Sequence, residues 1–570
     1  MSRTWGTEDV LDECEDVLLE HDALDRCVAI EPRRHEDQHA DLRLLFADRA
    51  WLRSPGGAQL TAALQEHPAV ASVRRHRSAI LLRFDDVALA NLERRLATAG
   101  VSTPNLLDGD PITVGFVGPN TNKALHVGHL RNIVLGHALA SALTSAGATV
   151  RRHSLVGDIG RRVCEAMGGY LARHDGESPG TLGLSGDRFV ELCSRDFPRD
   201  PAHAAAIAGA NDPNAEENQA HGDLADTIMN AWLSGAAPER ALWLRMRVWA
   251  LTGHQDTLAR LGVRMDRYDF ESDEIQHARD LVAKGLEIGL FERERTGGVI
   301  YRTGRSEYTT MVLLRKDGAP TEYARLLGVY HRMLEDLTPG GTYIEVVGIE
   351  WQPATAVLGE LLAALLRSPR DVSYAWVFHG SVTVGGQKMG SSTGDVMWID
   401  DLLNEVAAGP GVAALQELAH GAVGREALAD IVVRGTFLCS PTAQPLAFAF
   451  EQLLEGPPGP GWTIAEAWCR AQGHHSSGTT APLARTAVVQ SQLFRRSLLR
   501  MVERRDAASV ASYLLGVSEA CLSAPDPGPA AVPILRHALS SLGFIAGNEQ
   551  PCERADERTR QARQRAPIEA

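Results

Sequence analysis

Hydrophobic positions along the chain change rhythm twice. Early on, residues 78–84 (SAILLRF) read as a strand, and residues 86–99 repeat apolar side chains at helical spacing. Gly100 and the polar run through Asp110 then read as a linker. From Pro111 the pattern shifts. Residues 112–117 (ITVGFV) predict a short buried strand, 118–125 (GPNTNKAL) a loop, and 126–146 a long apolar helix stopped by Gly147. A second strand follows at 149–156, and this strand–loop–helix–strand order opens a parallel sheet of the nucleotide-binding kind. Residues 163 to about 240 are turn-rich (DGESPGTLGL, AGANDPNAEENQ) and read as an insertion packed on the core. Residues 241–261 return to a helix, and 344–348 (IEVVG) predict another buried strand. Beyond Asp400 the chain is mainly helical, broken by loops such as GPPGPG at 456–461, and its last twenty residues predict a frayed tail.

The expected fold is multidomain α/β: an N-terminal α+β domain over 1–108, a Rossmann-type parallel-sheet domain over 109–400 with the insertion around 163–240, and a helical domain over 401–570. At about 150 residues per domain, a 570-residue chain holds three or four. With 44% hydrophobic and 23% charged residues, there is material for packed cores. No window approaches the roughly 18 consecutive apolar residues of a membrane span, and the acidic N-terminus lacks a signal-peptide layout. A cytoplasmic protein with no membrane partner is expected. Lys plus Arg number 57 against 72 Asp plus Glu, a net charge of −15. That argues against a sequence-blind nucleic-acid coat but allows a basic surface on one domain. The eight cysteines form no CxxC pair, so reduced thiols and no metal centre are expected.

Two motifs carry chemistry. In LHVGH (125–129), His126 and His129 stand three residues apart at a predicted helix start, where both can face one ligand. Gly128 between them lets a flat ring approach the backbone, and free N–H groups there favour phosphate. A lone HxxH is more often a surface or zinc-binding pair. The preceding strand, with Asn120 and Lys123 in the loop, favours a ligand site here. The second motif, GGQKMGSSTGD (385–395), puts Lys388 on a glycine-flanked loop that can swing over phosphates. An ordinary tight hairpin also fits, since Gly385-Gly386 follows Val382-Thr383-Val384.

HxGH near the start of such a sheet and KM-x-S beyond it resemble the paired motifs of class I aminoacyl-tRNA synthetases. PNTNKALHVGHLRN, LGVRMDRYDFES, LRKDGAPTEYAR and KMGSSTGDVMWIDDLL resemble the arginyl-tRNA synthetase family, while FAFEQLLE, ASYLLGVSEA and ILRHALSSLGF resemble its helical anticodon-binding domain. The resemblance implies that an amino-acid carboxylate attacks ATP, that pyrophosphate leaves, and that the aminoacyl group passes to tRNA. It implies that His126 and His129 contact ATP and the transition state with Gly128 under the adenine. Lys388 and Lys123 would meet the phosphates, and Mg²⁺ would accompany ATP. Asn120, Tyr323 and Gln352 would line the amino-acid pocket. Arg495, Arg496 and Arg500, with Arg485, Arg504 and Arg505, offer a basic patch for tRNA, the commoner alternative being a solvated helix face. A monomer is expected.

The chain departs from the family pattern at several positions. KMS becomes Lys388-Met389-Gly390, the family's later basic position falls on Ser392, and its pocket glutamine falls on Trp351 or Gln352. The family tyrosine falls on Glu322 without a gap, or on Tyr323 after a shift of one. Its guanidinium-pairing aspartate is absent, Arg325 being followed by Leu326 and Leu327. A buried charge without its partner costs about 3–5 kcal/mol, a few hundred-fold or more in arginine affinity. Glu322, Glu345 and Glu350 are the candidates to replace it. Three functions follow: an arginine–tRNA ligase, a paralogue supplying a different aminoacyl-tRNA to a biosynthetic pathway, or a non-catalytic tRNA-binding protein.

Overall fold

The computed structural model describes residues 17–18, 21, 27–32, 40–198, 224–305, 309–366, 372–384, 387–388, 397–448, 450–477, 485–523 and 528–544. An antiparallel sheet comes first, with β1 (Cys27–Pro32), β2 (Leu42–Phe46), β3 (Val70–His76) and β4 (Ala79–Phe84) in the order β1-β2-β4-β3. Leu42, Leu44 and Phe46 alternate into a core shared with Leu60 and Leu64 of α1 (Pro55–Glu66) and Leu89, Leu92 and Leu96 of α2 (Asp86–Ala99). Asp85 caps α2 by accepting the Val87 and Ala88 N–H groups, and Gly100 ends it at φ 73°.

The central sheet is wholly parallel and runs β12-β11-β5-β6-β7. Its strands are β5 (Pro111–Gly115), β6 (Thr149–Val156), β7 (Arg267–Phe270), β11 (Thr342–Gly348) and β12 (Ser373–His379). Strand order reverses between β5 and β11, and in such sheets the crevice beyond the strands' carboxyl ends at that reversal is the binding position. Between β5 and β6 runs α3 (Val127–Ser145), apolar around most of its surface because it is buried all round. Its one buried arginine, Arg131, donates to the carbonyls of Gly380, Pro441, Thr442 and Gln444, tying the sheet domain to the helices that follow.

The segment after β6 is more regular than its turn-rich sequence suggests. It forms α4 (Arg161–Arg173), α5 (Gly186–Arg195), α6 (Leu224–Ser234) and α7 (Ala237–Arg260) around a cluster containing Phe189, Trp232 and Trp243. Glycines outside the quoted turn stretches permit close helix contact: a Cβ at Gly169 would strike the Cys193 carbonyl, and one at Gly186 the Trp249 carbonyl. The polar stretch 208–219 lies outside the described residues. Next come α8 (Ile275–Glu287), a small sheet of β8 (Glu292–Arg293), β9 (Val299–Arg302) and β10 (Thr310–Leu314), α9 (Glu322–Asp336), and, after β11, α10 (Gln352–Leu365).

Past β12, β13 (Val382–Val384) pairs antiparallel with β14 (Gln387–Lys388) and parallel with β15 (Leu446–Phe448). Helices then dominate, among them α11 (Arg425–Leu438), α12 (Arg485–Ser491) and α13 (Phe494–Arg504). Among the described residues no helix is long and apolar enough to cross a membrane. The tail read as frayed lies outside them.

Candidate active site

β5 ends in a forced turn. Val117 has φ 78°, a left-handed conformation that a β-branched residue adopts only when its surroundings hold it there. Its N–H donates to Asn132 Oδ1 at 2.6 Å, and Asn132 Nδ2 donates to the Val346 carbonyl at 2.6 Å. One asparagine on α3 therefore clamps β5 and β11 at the reversal in strand order. A cleft of about 460 Å³ opens there, its walls including Asn120, Lys123, His126, Gly128 and His129.

The histidine motif is itself the helix start. His126 is the N-cap of α3, and its Nδ1 accepts the Gly128 N–H at 3.0 Å. His129 Nδ1 accepts the His126 N–H at 3.1 Å, and the two rings lie 3.9 Å apart. Burial and the nearby Lys123 ammonium lower His126 to about 4, and burial with His126, Lys123 and His254 holds His129 well below the usual range. Both rings are thus neutral with Nδ1 occupied as acceptor, so the proton of each sits on Nε2. Two N–H donors and a helix N-terminus face the cleft, an arrangement suited to a nucleotide's phosphates and developing negative charge. Burial also lowers Lys123, while Glu191 draws it back up.

The segment that follows the lysine motif meets this helix start through the backbone. Thr383 pairs with Lys388 and Val384 with Gln387 in antiparallel register, while Gly385 and Gly386 lie outside the described residues. The Lys388 side chain and residues 389–396, including Gly390 and Ser392, lie outside the described residues. Where the chain resumes, Met397 accepts the Val127 N–H at 3.0 Å, and Ile399 donates to the Leu125 carbonyl at 3.2 Å.

Asn120 bridges to Gly157, where a Cβ would strike its Oδ1. Next to it, buried Asp158 accepts from Ser272 N and Oγ at 2.9 and 2.6 Å and pairs with Arg247 at 3.0 Å, fixing the end of β6 to the end of β7. On α9, Glu322 and Leu326 stand one turn apart in the cleft wall, whereas Tyr323 is half-buried against the core behind it. Trp351 lines the cleft, while Gln352 begins α10, exposed and outside the wall. Arg325 does not reach for solvent: its Nε bonds Glu271 at 2.6 Å and its Nη1 the Pro320 carbonyl at 2.9 Å. Burial lifts Glu271 and Arg325 pulls it back, leaving it at about 7. Glu345, in the wall on β11, is lifted by burial to about 8 against a hydrogen bond from Tyr343.

Of the arginines, Arg496 and Arg500 line, with Arg504, Ile30 and Glu31, a second hollow of about 450 Å³ between β1 and α13. Arg495 is on the same helix but outside that wall. Arg485 is committed elsewhere, since it pairs with Asp41 at 2.6 Å and with Asp86 in the N-terminal unit. One group of metal-capable ligand atoms occurs among the described residues, His277, His331 and Glu335 within 4.8 Å of one another. None of the three lines the cleft, and Arg332 Nη1, 3.8 Å from Glu335, already supplies positive charge.

A family profile described as tRNA synthetases class I (R), catalytic domain, matches residues 92–177. The chain is 32% identical over 300 residues to an arginine–tRNA ligase of Amoebophilus asiaticus, covering 52% of this chain and 50% of that one. Over 301 residues it is 32% identical to the Treponema denticola arginine–tRNA ligase, covering 53% and 48%. The chain thus spans about half the length of the curated relatives it matches. In fold it is similar to the Thermus thermophilus arginyl-tRNA synthetase, with a TM-score of 0.66 at 20% identity over 95% of this chain and 99% of that one. The Plasmodium falciparum arginyl-tRNA synthetase gives 0.64 at 11% identity, over 96% and 100%. The chain thus carries, over residues 92–177, a match to the class I (R) tRNA synthetase catalytic domain, and its fold is that of the arginyl-tRNA synthetases it resembles.

Proposed function

We propose that this protein is an ATP-dependent ligase that forms an aminoacyl-adenylate and transfers the aminoacyl group to tRNA, with arginine or a related cationic amino acid as substrate. We propose that it acts as a monomer in the cytoplasm. The observation that carries this reading is the pair of neutral histidines at the α3 N-terminus, each presenting Nε2–H beside Lys123. Those donors would hold the α-phosphate as its charge grows, and Lys388 would close over the β- and γ-phosphates. Mg²⁺ would enter on ATP; Glu322 and Glu350, exposed carboxylates of the cleft, are oxygen donors of the kind it accepts. Asn120 would bind the amino-acid backbone. Arg495, Arg496 and Arg500 would meet tRNA phosphates, with the units over 1–108 and 401–570 holding the tRNA around the domain over 109–400.

A second reading has its own support. Leu326 stands in the cleft where the family places an aspartate, and Arg325 occupies Glu271. Both favour a paralogue that activates a different amino acid. ATP–pyrophosphate exchange across the standard amino acids and arginine analogues, with and without bulk tRNA, separates the two. Exchange with arginine supports the first, and exchange with another amino acid the second. Silence throughout would remove the activation chemistry.

A further inference from the structure

One row across the central sheet is unusual. Glu345 on β11 is in register with Gly115 on β5, and Gly115 with His153 on β6. In a parallel sheet these three share a face, and the glycine leaves a gap between two ionisable side chains. The Tyr343 phenol, two residues before Glu345 on that face, fills the gap, and a Cβ on Gly115 would strike both Tyr343 Oη and Glu345 Oε2. The contacts are continuous. Tyr343 Oη bonds Glu345 Oε2, His153 Nδ1 lies 3.0 Å from Tyr343 Oη, and His153 Nε2 lies 3.1 Å from Asp269 Oδ2 on β7. That last contact is an ion-pair approach whose geometry falls short of an aligned hydrogen bond. Arg267 completes the chain, 2.9 Å from Asp269 Oδ1. Glu345 is 4% exposed, Tyr343 2% and His153 0%.

Glu345 is the candidate partner for a substrate cation. Its other oxygen makes no hydrogen bond among the described residues, and the residue forms part of the cleft wall. Glu271 already holds Arg325, and Glu322 and Glu350 are exposed. Around Glu345 the ionisable groups are Tyr343 on its own strand, Tyr330 and Glu322 on α9, Glu271 after β7, His153 and Asp269 behind, Glu350 after β11, and His379 on β12. None of those nearest to it supplies a fixed positive charge. On the reading that the cleft activates an amino acid, we propose that Glu345 receives the cationic end of its side chain and that Tyr343 and His153 take up the proton Glu345 releases. The step balances internally. Before the step the Glu345 carboxyl donates to Tyr343 Oη and the phenol donates to His153 Nδ1. The carboxyl proton then passes to Tyr343 Oη and the phenol's own proton to His153 Nδ1. This leaves a carboxylate that faces the substrate cation and accepts from the Tyr343 phenol, and an imidazolium against Asp269. Glu345 itself becomes negative only when a cation is present.

Calorimetry on the full chain with ATP tests this using two pairs of near-isosteres, L-arginine with L-citrulline and L-lysine with L-norleucine. The cationic member of at least one pair should bind on the order of 100-fold more tightly, and Glu345→Gln should reduce that preference to about threefold or less. No charge preference, or an unchanged one in Glu345→Gln, overturns Glu345 as the receptor. The relay has a separate readout. Wild-type affinity for the preferred cation should be nearly flat from pH 6.5 to 7.5, whereas Tyr343→Phe, which must release the proton to water, should gain about tenfold over that unit. Equal slopes in the two proteins overturn the relay. Pyrophosphate exchange with any amino acid, unaffected by Glu345→Gln, would sink this inference while leaving the proposed function standing.

Discussion

At the scale of single residues, the cleft depends on positions with no spare room. Gly115→Ala should be destabilising by about 1–3 kcal/mol, because the buried ends of Tyr343 and Glu345 must both move. Urea unfolding reads the stability, and the KM for the amino acid should rise in the same variant. His129→Ala should lower pyrophosphate exchange on the order of 100-fold while its circular dichroism stays that of the wild type. A wild-type rate would remove the oxyanion role. How far these residues could be read in advance differs by kind. His126, His129, Lys123 and Asn120 lie within one loop and helix start, so spacing alone groups them. Whether Glu322 or Tyr323 faced the pocket could not be settled by alignment, because a one-residue shift on a helix rotates the choice by about 100°. His153, Asp269 and Tyr343 come from three strands and carry no local signal. They meet only once the strand register is known.

Among elements, regular ones were read best. Residues 149–156 and 86–99 coincide with β6 and α2, whose apolar spacing is undisturbed. The helices between β6 and β7 were obscured because polar, turn-favouring stretches at 175–184 and 208–219 separate them and dominate the local pattern. α13 shows the limit of a charge run. Its arginines do not act alike, since Arg500 is lowered by burial and by Arg496 and Arg504 beside it. Such crowded cations gain most from a polyanion. Arg496→Ala and Arg500→Ala should each weaken tRNA binding uniformly across sequences and lower the salt slope by about 1. Filter binding across salt concentrations checks this, with exchange at saturating ATP and amino acid unchanged. A salt slope equal to the wild type's would assign the helix to a solvated face.

For the whole molecule, buried acids and histidines set the pH response. As pH falls below about 6.5, unfolded His126 takes a proton that the folded residue refuses until about 4, and stability is lost. Glu345 works in the opposite sense: its unfolded form ionises near 4.5 while the folded carboxyl holds its proton to about 8, so stability falls as pH rises. The two offset each other between about pH 4.5 and 6.5, and above that range Glu345 is uncompensated. The ligand-free protein should lose about 2 kcal/mol from pH 6.5 to 8 through this residue, and Glu345→Gln should flatten that slope in urea titrations. The latch by Arg485 predicts a different large-scale effect. Arg485→Ala should make the unit of β1 to β4 more sensitive to protease without lowering exchange, because the cleft lies elsewhere. The hairpin that carries Lys388 is hydrogen-bonded through β13 to β15, a strand set among the C-terminal helices. Any displacement of β15 therefore acts on the backbone that carries the lysine through a two-strand linkage. Thermodynamic reciprocity then fixes the return signal: whatever factor tRNA adds to ATP affinity along this path, ATP must add to tRNA affinity.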